Sequence, residues 1–154
     1  MTARAPTTAQ QIRVALGRYD PAIAKLVNAA RRAVKTRYPG AVDLVYDNYN
    51  ALVFGFGPSE HASEAVISLA AYPRWVNLFF LHGARLPDPG GLLQGSGKQV
   101  RSVRLGSAAE LERGAVAVLV RVAVARMDVP FGKGRGRTVL RAIAPVRRAR
   151  RPAR

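Results

Sequence analysis

Apolar residues recur along this chain with two different periods, and the changes of period mark out its elements. Ile23, Leu26, Val27, Ala30 and Val34 fall at three- and four-residue steps and make one apolar stripe. Lys25, Arg31, Arg32 and Lys35 are read as lying on the other side of that helix. Asp20-Pro21 is a helix start, because the Asp side chain caps free amides and Pro is tolerated at the first helical position. Pro39-Gly40 stops the helix. A weaker helical pattern runs from Thr7 to Leu16 and ends at Gly17. After Gly40 the period shortens. Val42 to Tyr46 and Ala51 to Phe56 are β-branched and aromatic runs on either side of Asp47-Asn48-Tyr49-Asn50, the spacing of a hairpin. Ala65 to Ala71 and Trp75 to Leu81 predict two more strands around Tyr72-Pro73-Arg74. Leu78-Phe79-Phe80-Leu81 is apolar at every position, as in a strand covered on both faces. A Gly- and Pro-rich loop spans 83–97, and Val100 to Leu105 alternates as a fifth strand.

Residues 107–126 carry opposed signals. Val116, Val118, Val120, Val122 and Val124 alternate as in a strand. Ser107 and Glu110 have capping-box spacing, and about twenty residues follow without a breaker, which favours a helix. Helix is the expectation. From Asp128 onward, glycines and prolines are interspersed with Arg and predict little stable structure, save a helical turn around Val139 to Ala144. The order predicts an α+β fold: an antiparallel sheet of about five strands flanked by N-terminal and C-terminal helices. The expected divisions are a partly helical arm over 1–19, a domain over 20–127 and a disordered basic tail over 128–154.

The length of 154 residues suits one ordinary domain with tails, and 49% apolar residues is normal for a globular chain. The absence of Cys excludes disulfides, thiolate zinc sites, thiol nucleophiles and iron–sulfur ligation. No run of about eighteen uncharged apolar residues predicts a membrane span. The polar stretch Met1 to Gln10 does not read as a secretory leader, so a cytoplasmic protein is expected. Charge changes the picture most. The net charge is +16, split as +7 over 1–40, +1 over 41–127 and +8 over 128–154. A neutral centre with basic ends predicts a folded body carrying electrostatic attachments.

Candidate chemistry is sparse. His61 and His82 are the two histidines, and neither belongs to a metal-ligand spacing, although His82 could stand at a pocket rim. Asp43, Asp47 and His82 are the central acid–base set, but no spacing pairs them. No catalytic residue, cofactor or metal is therefore expected. Gly95-Ser96-Gly97-Lys98 resembles a phosphate loop but fails that pattern, with Leu92 and Gln99 where Gly and Ser or Thr are required. Tyr46, Asn48, Tyr49 and Asn50 bring polar aromatics and amides to one hairpin, and Trp75 follows the next turn. In the tail, Lys133, Arg135 and Arg137 alternate with glycine, a pattern suited to a narrow minor groove. Arg147, Arg148, Arg150 and Arg151 are phosphate-contact candidates.

Several segments taken together resemble the YdhG-like family, a domain of unknown function. They are Arg37-Tyr38-Pro39, Val45-Tyr46-Asp47-Asn48-Tyr49-Asn50, Phe54-Gly55-Phe56-Gly57-Pro58, Tyr72-Pro73-Arg74-Trp75-Val76, Leu78-Phe79-Phe80, Gly83-Ala84-Arg85-Leu86, Asp88-Pro89, Gly91-Leu92-Leu93, Gly95-Ser96-Gly97-Lys98 and Val100-Arg101. The resemblance covers about residues 20–127 and leaves out the tail. It implies a small α+β domain similar to frataxin, favours helix over 108–126, and implies no assigned activity. One branch of the family is described as an intracellular iron chaperone. The helix that would have to carry clustered carboxylates, 21–37, contains none here, and only Asp43 and Asp47 lie near it, so the residues speak against that role.

The functional expectation is a non-catalytic binding domain. Its ligand is placed near Tyr46, Asn48, Tyr49 and Trp75 and the loop bearing Arg85, Lys98 and Arg101, whose charges favour a small anionic ligand or an acidic protein partner. The alternative is a nucleic-acid-associated protein that uses its basic tail and basic first helix. No membrane partner is expected.

Overall fold

In the computed structural model, residues 4–48 and 50–141 are described. Thr7 starts α1 (Thr8–Leu16) with a complete capping box: its hydroxyl accepts from the Gln10 amide at 3.1 Å, and the Gln10 side chain accepts from the Thr7 amide at 2.8 Å. The Asp20 carboxylate accepts from the Ala22 amide at 2.9 Å and opens α2 (Pro21–Arg37). Val27, Ala30 and Val34 are buried, as the stripe predicts.

The strands are β1 (Val42–Asn48), β2 (Ala51–Gly57), β3 (Ile67–Ala71), β4 (Val76–Phe80), β5 (Arg101–Leu105) and β6 (Thr138–Leu140). They form one sheet in the order β5-β4-β3-β2-β1-β6. All pairs are antiparallel except β1 with β6, which is parallel. The fold is α+β, with helices before and after the five consecutive strands. The segment with opposed signals is helical: Glu110 caps a 3₁₀ turn over Ala108–Leu111, and α3 (Ala115–Ala125) follows Gly114, whose φ of 94° suits glycine. Val116, Leu119, Val120 and Ala123 are its buried residues, a three- and four-residue spacing hidden inside the alternating valines.

Helices pack on one face of the sheet. Val45, Leu52, Phe54, Phe56, Ile67, Leu69, Leu78, Phe80, Val103 and Leu105 meet the buried residues of α1, α2 and α3 there. The opposite face has its own small cluster, in which Tyr46, Tyr72 and Phe79 lie over Ala51, Val53 and Ala70. This corrects the expectation that β4 is covered on both sides: Phe80 and Leu78 are buried under helices, whereas Phe79 is half-buried among aromatics.

Residues 129–141 depart from the expected disordered tail. Phe131 packs on Tyr38 with ring centroids 5.6 Å apart, and the Gly136 amide donates to the Pro39 carbonyl at 2.6 Å. Thr138 to Leu140 then pair with Asp43 to Val45. Val139 and Leu140 are therefore strand residues, not the expected helical turn. Two physical causes are visible. β1 would otherwise be an edge strand with unpaired amides and carbonyls, which β6 satisfies. The glycines also allow close backbone approach: a Cβ at Gly40 would run into the Gly132 carbonyl oxygen, and one at Gly136 into that of Ala41.

Candidate anion-binding groove

The register of the sheet separates the sequence-predicted ligand residues into two groups. Tyr46, Asn48 and Trp75 lie on the helix-free side, at the end of the sheet where Asn48 pairs with Ala51 and Ala71 with Val76. Tyr49 lies outside the described residues. Arg85, Lys98 and Arg101 gather at the other end of β4, where Phe80 pairs with Arg101. The Ala84 amide donates to the Gln99 carbonyl at 2.8 Å and joins the two loops of that corner. β4 has five residues, so the two groups are about 15 Å apart along the strand. One small ligand does not span them.

Within that corner Arg101 is engaged, whereas Arg85 is exposed. Arg101 donates through Nη1 to the carbonyls of Gly97 at 2.6 Å and Val100 at 2.8 Å, which folds the Gly95-Ser96-Gly97-Lys98 loop onto its own backbone. The Arg85 carbonyl accepts from Arg126 Nη1 at 2.8 Å. Arg85 and His82 border a cavity of about 520 Å³, floored by Val66, Phe80, Leu86 and Met127. His82 thus stands at a pocket rim.

The helical side holds a larger concavity that sequence reasoning missed. Ala29, Arg32, Ala33 and Thr36 lie on one strip of α2, beside its core stripe. Gly114, Ala117 and Arg121 lie on the matching strip at the start of α3. Alanines at the facing positions leave space that longer side chains would fill, and a groove of about 790 Å³ results. Arg32, Arg37, Arg113 and Arg121 line it, with Glu112 as the one acid. All four arginines are exposed, and none is in an ion pair among the described residues. The first turn of α3 also points into this groove. Among the described residues no side chain caps it, and no acid stands in it, so its amides present the positive end of the helix dipole. The arrangement suits an anion: guanidinium forks for bidentate contact, and backbone amides beside them. The legible signal was Ala29 and Ala33 beside Arg32, one turn apart on the solvent side of the stripe.

The carboxylates are committed elsewhere. Asp43 is the one charged residue in the buried set among the described residues. Its Oδ2 accepts from Arg31 Nε at 2.8 Å, from Arg31 Nη2 at 2.6 Å and from the Thr138 hydroxyl at 3.3 Å. Lys35 is 3.7 Å from the same oxygen. Arg31 is therefore not on the solvent side of α2 as its charge suggested; it reaches under the sheet and lies 5.1 Å from the Phe54 ring centroid. Asp47 faces Arg18 at 3.9 Å. Among the described residues there is no group of three His, Cys, Asp or Glu able to hold a metal. No described helix is long and apolar enough to cross a membrane. In the tail, Arg137 pairs with Glu60 at 3.2 Å, while Lys133 and Arg135 are exposed. Arg147, Arg148, Arg150 and Arg151 lie outside the described residues.

No protein-family model matches this chain, and no match was found among curated proteins or solved structures.

Proposed function

We propose that this chain is a non-catalytic binding domain that takes a phosphate-bearing anion in the groove between α2 and α3. The observation that carries the proposal is the set of four exposed arginines around one concavity, none in an ion pair among the described residues, beside the start of α3. The YdhG-like resemblance is part of the same proposal. It is supported by the order of helices and strands and by the helix at 115–125, and it supplies no activity of its own.

Inorganic pyrophosphate is a suitable probe because it offers two fork-acceptor groups and no base or apolar body. Isothermal titration should show binding that weakens with salt. Arg32→Gln and Arg121→Gln should each lower the affinity about tenfold, the scale of one charge-assisted hydrogen bond. Lys98→Gln, at the distant corner, should leave it unchanged. Equal affinity in the parent and the two groove variants would sink the assignment.

A further inference from the structure

On the other face of the sheet no described helix packs. Strand alternation and register give its composition row by row. One row reads Tyr46, Val53, Ala70, Asn77, Arg104 across β1 to β5, and the next reads Leu44, Gly55, Ser68, Phe79, Ser102. Beyond the first row, Asn48 pairs with Ala51, and Tyr72 follows β3 at the turn. Three features of this face belong together. The middle positions are small, so Tyr46, Tyr72 and Phe79 pack over Ala51, Val53 and Ala70 and are themselves only partly buried. The aromatic array continues sideways: Tyr72 and Trp75 have ring centroids 5.8 Å apart, and the Arg104 guanidinium lies 4.3 Å from the Trp75 centroid. Neither row contains a carboxylate; the polar groups are the Tyr46 phenol, two serines, an asparagine and an arginine, with Asn48 beyond them.

We propose that this face is a stacking platform for single-stranded nucleic acid. Aromatic faces accept any base whose own face is exposed, and bases in a duplex are already stacked on each other. Asn77 and Asn48 offer both donor and acceptor to base edges. The lack of carboxylates on the face, Arg74 and Arg104 beside Trp75, and a net charge of +16 admit the phosphate chain. An acidic protein would use the charge but not the array of rings. The inference does not rest on the α2–α3 groove, which lies on the helical side of the sheet.

Trp75 is the one tryptophan, so its fluorescence reports this site alone. An oligothymidylate about fifteen nucleotides long, and its oligouridylate counterpart, should quench Trp75 saturably. The quenching should persist in Arg32→Gln protein, which separates it from the groove. A duplex of equal charge and polyglutamate should bind more weakly and leave Trp75 emission unquenched. Tyr72→Ala should weaken binding of a labelled oligonucleotide about tenfold or more. Asn77→Asp replaces an amide by a near-isosteric carboxylate, so it tests the charge of the face without disturbing packing. It should lose affinity similarly, with an unchanged thermal melt. Absence of quenching, equal quenching by duplex or polyglutamate, or full affinity in Asn77→Asp would each overturn the platform.

Discussion

Asp43 takes an inward position on β1, and Arg31 stands four residues after Val27 on the buried stripe of α2. Two opposite charges at core-facing positions of adjacent elements have to find each other, because a lone buried charge is too costly to keep. The pair was therefore legible from the stripe and the strand alternation together, although the charge of Arg31 alone placed it outside. Removing one partner strands the other. Asp43→Ala should lower stability by about 3 kcal/mol, read from urea unfolding, because Arg31 and Lys35 then face each other without their anion. The double change Asp43→Leu, Arg31→Met should recover most of that loss. Tyr46 responds to pH instead. Burial raises its phenol above the ordinary value of 10.0. Above that pH the unfolded chain releases the proton while the folded one retains it, so stability falls as pH rises from the unfolded value through the raised one. Urea midpoints measured below and above pH 10 should converge in Tyr46→Phe relative to the parent.

At the level of elements, the glycine-rich basic segment shows what a motif read in isolation conceals. Lys133, Arg135 and Arg137 alternate with glycine in a way that suits a minor groove, yet Gly136 is held against Ala41 by backbone packing, and Arg137 faces Glu60. Gly136→Ala should therefore force β6 away from β1 and cost about 1–3 kcal/mol, seen as a lower melting temperature. Changing Lys133 or Arg135 to Ala should shift it by no more than about 0.5 kcal/mol. The strand itself was hard to foresee because Thr138-Val139-Leu140 is short and its partner lies far back in the chain. The helix at 115–125 was easier, since the capping signal and the unbroken length outweighed the alternating valines.

For the whole molecule, local periods were enough to place two of the three described helices and five of the six described strands, because each buries one face and shows that face in its own spacing, whatever it packs against. The sites were less legible. Ligand residues chosen by type fell into two corners because sequence proximity says nothing of which end of a strand a loop occupies. The groove arises only when α2, the 3₁₀ turn over 108–111 and α3 are brought together, and the aromatic face only when four strands set their outward residues in register.

The bond from Thr138 to Asp43 spans 95 positions of the chain. During synthesis β1 and the four strands after it are complete long before their last neighbour leaves the ribosome. Until that moment the outer border of the nascent sheet is bare, and a second nascent copy offers the same bare border. Pairing of Thr138–Leu140 with Asp43–Val45 is thus the last step in assembling the described sheet, and it covers that border late, while β5 forms the opposite one.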